Sequence, residues 1–187
     1  GTPAGPVRQE VANRLGLGAD TVVVSAAHDQ VAAAIGAGVF DGSTAADGAG
    51  TVECMVPVYD TLPDMDVMYE GNYAVIPYVI PGKYVTYAFS YTGGALIQWC
   101  IDVLAKEEKQ QALIKHLSVN ELLEQEYIKK RGSVPGKLLV LPHFAGAATP
   151  YMDAGSRGAI LGLTTDSRVY DIYRACMEGV VYEMLLN

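Results

Sequence analysis

An aspartate placed between an apolar, β-branched run and a small-residue segment is the first candidate for chemistry in this sequence. Residues 21–26 read TVVVSA, His28, Asp29 and Gln30 follow, and VAAAIGAG comes next. A strand buried on both faces, as in a parallel sheet, followed by a helix suits this pattern. The carboxyl end of such a strand is where open α/β sheets set catalytic and ligand-binding groups. A carboxylate there can act as general base toward a hydroxyl, with the Gln30 amide donating and accepting beside it. Asp is also a favoured helix N-cap, so spacing alone leaves both roles open for Asp29.

Three further places could hold a ligand. Gly48-Ala49-Gly50-Thr51 stands at the entrance of a strand, where backbone N–H groups and a Thr hydroxyl can approach phosphate closely; an ordinary turn between strands or domains fits as well. Gly93-Gly94 opens a helix, whose N-terminal amides form a natural anion site, or make a plain tight turn. The small-residue loop 145–150, followed by Ser156-Arg157-Gly158, carries one basic side chain. Arg157 can contact a ligand or pair with one of the local carboxylates. His143, in an apolar strand, reads as a satisfied core histidine. Cys54, Cys100 and Cys176 are widely spaced in apolar contexts, without a CxxC pair or a histidine at metal-ligand spacing, and read as buried free thiols.

The elements that must position these residues can be read in outline. Residues 6–17 suit a short helix with Val7, Val11, Ala12 and Leu15 on one face, ended by Gly16. After Gly42 the texture turns polar and glycine-rich before the strand VECMVPVY, which sets a domain boundary near Gly42. Residues 73–91 read as a hairpin turned at Pro81-Gly82, with Pro77 confining the first arm to an edge or a bulge. The helix ALIQWCIDVLAK is apolar around too much of its circumference for a surface position. Ser118-Val119-Asn120-Glu121 is a capping box, and Lys129-Lys130-Arg131-Gly132 closes the helix it starts. Residues 138–144 read as a buried strand and 158–163 as a short one. From about Ser167 a final helix sets Val169, Ile172, Tyr173, Cys176, Met177, Val180 and Met184 on one face. The aromatic residues of 73–91 are expected to pack a sheet.

With 187 residues, half of them hydrophobic and 18% charged, the chain can bury a core and is not globally disordered. Its length suits one domain or pieces of two. No apolar run reaches the roughly 18 residues of a membrane helix; the best, 22–39, is broken by His28, Asp29 and Gln30. The net charge of -8 argues against nucleic-acid and anionic-membrane partners. All of that charge sits early: residues 1–70 hold 10 acids and 2 bases, residues 71–187 hold 11 of each. The start, GTPAGP, has neither an initiator Met nor the layout of a signal peptide, so the chain is expected to be cut from a longer one, and the free thiols suit a reducing cytoplasm.

Taken in order, VVVSAAHDQVAAAIGAGVF (22–40), DGAGTVEC (47–54), YTGGALIQW (91–99), LPHFAGAATPYMD (141–153) and RGAILGLTTDSRVYDIYRACMEGVVYE (157–183) resemble the middle of an FGGY-family carbohydrate kinase, the group of xylulose, ribulose, rhamnulose and glycerol kinases. The last segment is similar to the family's C-terminal signature at Gly158, Ile160, Gly162, Leu163, Asp171, Ile172, Ala175, Met177 and Glu178; Cys176 departs from it. The resemblance implies an α/β chain of the actin-like ATPase (ribonuclease H-like) fold, incomplete at both ends, with 1–42 ending the N-terminal domain and 43–187 beginning the C-terminal one. It implies transfer of the γ-phosphate of ATP, with Mg²⁺, to a sugar hydroxyl, of a ketopentose such as xylulose. By the same resemblance Asp29 matches the catalytic base, His28 and Gln30 substrate contacts, Gly50 and Thr51 the phosphate-binding turn, and Gly94 and Gln98 nucleotide contacts. No metal ligand is matched here, the magnesium-associated carboxylate being expected outside these residues. Many xylulose kinases carry a Glu-Arg pair where this sequence has Ala147-Ala148. The fragment by itself is expected to be inactive and, with open sheet edges, to self-associate as a homo-oligomer. A second reading keeps the fold as a non-catalytic nucleotide-binding or assembly module, and a third is an acidic α/β module that only mediates protein contacts.

Overall fold

A computed structural model describes residues 2–25 and 27–187. Its first unit is a ribbon, β1 (Thr2–Pro6) antiparallel to β2 (Val22–Ser25), joined by α1 (Gln9–Leu15). Gly16 ends α1 in the left-handed conformation, which glycine adopts without the Cβ penalty. The apolar run of β2 forms a strand but not the doubly buried one expected, and Ala26 lies outside the described residues. Val22, Val23 and Val24 are each about half exposed, because β1 is the partner of β2 among the described residues and no element there covers its faces. β-Branched residues favour a strand whatever its direction, so composition did not distinguish parallel from antiparallel pairing.

Next come α2 (Asp29–Gly36), β3 (Ala45–Ala49) and β4 (Glu53–Tyr59). The stretch before β4 read as polar texture is thus partly a strand, paired with β4 from Ala45 opposite Pro57 to Ala49 opposite Glu53. Small residues say little by themselves, and the pairing comes from the apolar strand beside them. A short helix, α3 (Met65–Glu70), follows; the Asp64 carboxylate accepts from the Asp66 and Val67 amides. The expected hairpin is present as β5 (Ile76–Pro77) antiparallel to β6 (Tyr84–Val85), with Pro77 in the edge strand. With β7 (Ala88–Ser90) on β4, the five strands run β3-β4-β6-β5 with β7 off that path.

The helical layer is α4 (Gly94–Leu104), α5 (Lys106–Lys115), α6 (Val119–Arg131) and α7 (Val169–Leu186), with the antiparallel pair β8 (Leu139–Leu141) and β9 (Ala159–Leu161) between α6 and α7. The expected helix from Gly94 stops at Leu104, and after Ala105 a more polar helix, α5, starts in its own direction. The Ser118–Glu121 capping box starts α6 as read, and Gly132 ends it. In β8 only Val140 is buried, so burial alternates over 138–142 instead of covering the strand on both faces. A Cβ at Gly179 would stand 2.5 Å from the Val140 carbonyl oxygen, so glycine is what lets α7 lie directly on β8.

Two apolar cores result. One joins Leu96, Cys100 and Ile101 of α4, Leu123 of α6, Val140, and Tyr173, Cys176 and Val180 of α7. The other joins Val31 and Ala34 of α2 with Val39, Cys54, Val56 and Val58, Tyr78 and Val85. Both cysteine contexts are buried, as expected, and all three thiols are free. The second core spans the boundary expected near Gly42, since α2 packs on β3 and β4. Among the described residues no helix is long and apolar enough to cross a membrane.

Candidate functional site

The start of α2 presents Asp29 at the surface. Its side chain is 84% exposed, and one carboxylate oxygen stands 3.0 Å from His28 Nδ1 and accepts the Gln30 amide at 2.8 Å. His28, not Asp29, occupies the N-cap position, and no side chain caps the helix there. Asp29 therefore has an exposed carboxylate held by two local contacts. The His28 ring stacks on Tyr87, centroids 5.2 Å apart and planes within 6°, and Tyr87 leads on to Phe89 and Tyr91. This row lies along the sheet, as the aromatic content suggested, and fixes the ring beside Asp29.

Gln30 points at the hairpin. A Cβ on Gly48 would be 3.0 Å from Gln30 Oε1, so a bare backbone at this point lets the amide lie against β3. Two residues on, the chain turns through Gly50, Thr51 and Val52, closed by the Gly50 amide donating to the Val52 carbonyl at 3.1 Å. All three turn residues are exposed.

The helix α4 is stitched onto that turn. The Gly94 amide donates to the Gly50 carbonyl at 2.7 Å, and the Gly93 and Ala95 amides donate to the Thr51 carbonyl at 3.1 Å each. A Cβ on Gly94 would fall 2.8 Å from the Gly50 oxygen, and one on Gly93 2.5 Å from Glu53 Oε2. The glycine pair is therefore needed for close approach. It does not form the open anion site expected from a helix N-terminus, because its amides are already donated to the turn. Gly94 and Gln98 lie one helical turn apart, both exposed. A cavity of about 240 Å³ opens beside them, walled by Ala49, Gly50, Glu53, Gly93, Gly94 and Ile97 with Met177 and Val180 of α7.

Two charged residues here escaped the sequence reading. Glu53 is 7% exposed, and its carboxyl is pushed up to about 7, first by burial and then by the charge and hydrogen bond of Asp47. The Cys54 thiol between them is raised by burial, with the charges of Asp29, Asp47 and Glu53 adding. The available signal was a glutamate inside an otherwise apolar strand, two residues after Thr51.

The other candidates lie apart from this cluster. His143 is a buried, satisfied histidine, its ring nitrogens 2.8 Å from Ser156 Oγ and 3.0 Å from Glu183 Oε1. Arg157 donates to the Ala154, Gly155 and Ser156 carbonyls, in place of the carboxylate partner expected for it.

The sequence pattern of the FGGY family of carbohydrate kinases, C-terminal domain, matches residues 49–186. The chain belongs to the FGGY family. It is 28% identical over 181 residues to the xylulose kinase of Staphylococcus epidermidis, covering 96% of this chain and 34% of that protein. It is 31% identical over 172 residues to a glycerol kinase of Clostridium botulinum, covering 90% and 32%. The FGGY chain thus spans about a third of the length of the curated relatives it matches. Among solved structures, the xylulose kinase of Rhodospirillum rubrum superposes with a TM-score of 0.75 at 22% identity, over 98% of this chain and 34% of that one. The gluconate kinase of Lactobacillus acidophilus gives 0.74 at 23%, over 98% and 35%. These likenesses establish the actin-like ATPase fold.

Proposed function

We propose that this chain is the central part of an ATP-dependent carbohydrate kinase, with 1–42 ending the N-terminal domain and 43–187 beginning the C-terminal one. The observation that supports it most is the stitching of three segments distant in sequence: the Gln30 amide against Gly48, the Gly50–Thr51 turn, and the Gly93–Gly94 start of α4 donating to that turn. In this reading Asp29 takes the proton from the acceptor hydroxyl as its oxygen bonds to the γ-phosphorus of ATP and the bond to the leaving ADP oxygen breaks. The exposed Asp29 carboxylate is held by the His28 ring and by the next amide, which leaves its second oxygen open to a hydroxyl. Gln30 and His28 contact the sugar. Gly50 and Thr51 face the phosphates, and Gly94 and Gln98 the rest of the nucleotide, along the cavity beside α4.

ATP fits the described residues as a substrate, since the turn is exposed and the cavity wall is kept open by glycines. For Mg²⁺ the described residues bring no three ligating His, Cys, Asp or Glu side chains together. The acceptor we favour is a ketopentose such as xylulose; relatives named for xylulose and for glycerol both match. We place the protein in the cytoplasm and expect the isolated chain to self-associate through the exposed Val22–Val24 edge.

The test is ADP release by the full-length protein that contains this chain, with Mg-ATP over ketopentoses, deoxyketoses, glycerol and erythritol, and with the Asp29→Ala protein alongside. Saturable, Asp29-dependent release with one acceptor is the expected result. Silence with every acceptor, despite demonstrable ATP binding, favours a non-catalytic actin-like module instead.

A further inference from the structure

Behind the Gly50–Thr51 turn lies an acid with no counter-charge among the described residues. Glu53 is the first residue of β4, and on the β3–β4 ribbon Ala49 stands opposite Glu53 while Asp47 stands opposite Met55. Asp47 is thus the diagonal neighbour of Glu53 on one face, a spacing that long side chains bridge. Gly48 and Cys54 point to the other face, toward Gln30 and the core of α2. The Glu53 side chain lies under Gly93, on the side of the ribbon that α4 and α7 cover.

Each element around it withholds a positive partner. From β7, Ser90 spends its hydroxyl on the Thr92 carbonyl. From α4 the neighbours are Gly94 and Ile97, and the first acid of that helix, Asp102, is paired with Lys109. From α7 they are Met177 and Val180, with Glu178 held by Arg174 and Glu183 by His143. Across the ribbon stands another acid, Asp29, acting on the intervening Cys54. The nearest charged group along that face of the ribbon is the diagonal neighbour Asp47, itself an acid, whose charge adds to burial in raising the Glu53 carboxyl. Two carboxyl groups that close hold a proton between them. The same Glu53 carboxyl forms part of the wall of the cavity shared with Gly50 and Gly94.

We propose that Glu53 is a proton-linked positioning residue for the phosphate donor: the Gly50–Thr51 turn accepts ATP phosphates when the Glu53–Asp47 pair carries a proton, and ATP binding above neutral pH takes that proton up from the buffer. This rests on the kinase reading above. A phosphate on the exposed turn brings further negative charge toward the buried Glu53 carboxyl, and like charges repel. Phosphate and proton therefore bind with positive linkage, each strengthening the other. An ionised pair would oppose the phosphate and push on the Gly93 backbone that holds the turn. The raised affinity of Glu53 for its proton sets the threshold near pH 7.

The experiment is calorimetric titration of Mg-ATP into the full-length protein between pH 6.5 and 8.5, in buffers of different ionisation enthalpy, for the natural protein and for Glu53→Gln and Asp47→Asn. Proton release by Mg-ATP itself is common to all three and cancels in the comparison. The natural protein is expected to take up about one proton per ATP near pH 8, with affinity falling by up to about tenfold per pH unit above 7. Glu53→Gln should lose both the uptake and the pH dependence while still binding ATP. Asp47→Asn, which keeps Glu53 but removes the neighbouring charge, should move the midpoint to lower pH. ATP binding with no proton uptake, or uptake unchanged in Glu53→Gln, overturns the role of Glu53 and leaves the kinase reading standing. Absence of ATP binding by the natural protein at every pH overturns the kinase reading and this inference with it.

Discussion

The helical layer and the hairpin site treat charge in opposite ways. In the helical layer these acids are paired: Arg131 holds the buried Asp171 and the exposed Asp166, Arg174 holds Glu178 and Glu124, and His143 joins Ser156 to Glu183. Arg131 lowers the Asp166 carboxyl by its hydrogen bond and charge, as expected of a structural pair. Around the β3–β4 hairpin the acids Asp47 and Glu53 stand together with Asp29 across the ribbon, and the Glu53 carboxyl is raised, by burial first and then by Asp47. Charges that only hold the fold are compensated within it. Charges left uncompensated are available to a ligand, or must carry a proton until one arrives.

If that contrast is right, the largest effect belongs to Asp29. Replacing it with alanine in the full-length protein should lower kcat by roughly 10²- to 10⁴-fold, with nucleotide affinity nearly unchanged, in steady-state ADP release paired with ATP titration. Stability should hardly move, because the side chain is exposed. Near-normal turnover would remove Asp29 from the chemistry.

On the compensated side, Glu183→Ala leaves the buried Nε2 of His143 without its partner and should cost about 2 to 3 kcal/mol in denaturant unfolding. A loss as small as that of a surface change would mean that this pair is not structural. The two regions then differ in the sign of the stability effect. Glu53→Gln should stabilise the protein by about 1 to 2 kcal/mol at pH 8, discounted from the full shift because Asp47 keeps some contact with solvent. The sign follows from the direction of the shift. The Glu53 proton is held more tightly folded than unfolded, so the natural protein has its full contribution below about pH 4.5 and loses it as pH rises through about 7. Thermal midpoints of both proteins across that range should therefore diverge with rising pH; parallel curves would mean that Glu53 ionises at its ordinary value. The smallest effect is expected far from either region. Ser118→Ala removes the hydroxyl that caps α6 and should cost about 1 kcal/mol at any pH from 5 to 8, with no change in turnover.

The local signals in the sequence were reliable where the deciding interaction lies within a few residues. Gly16 ends α1 through its own left-handed backbone, and Ser118 and Glu121 cap α6 through side-chain hydrogen bonds three residues apart. The period of the last helix named Tyr173, Cys176, Val180 and Met184, and all four are buried. The strand β1, made of Thr, Pro, Ala and Gly, and the small-residue strand β3 were not legible, since each exists through a partner strand and not through its own propensity. The break at Ala105 and the cap at Asp64 were local signals that went unread.

The sequence by itself determined the alternation of helix and strand, the glycine positions, the family, and the residue types available for phosphoryl transfer. Tertiary structure decided which of those residues meet. It decided that the amides of Gly93 and Gly94 serve the hairpin turn, that β2 runs antiparallel to β1 with its valines exposed, and that Glu53 is enclosed beside Asp47 without a cation. Caps and turns are settled by neighbours along the chain, whereas burial and charge balance depend on whatever the fold brings from elsewhere.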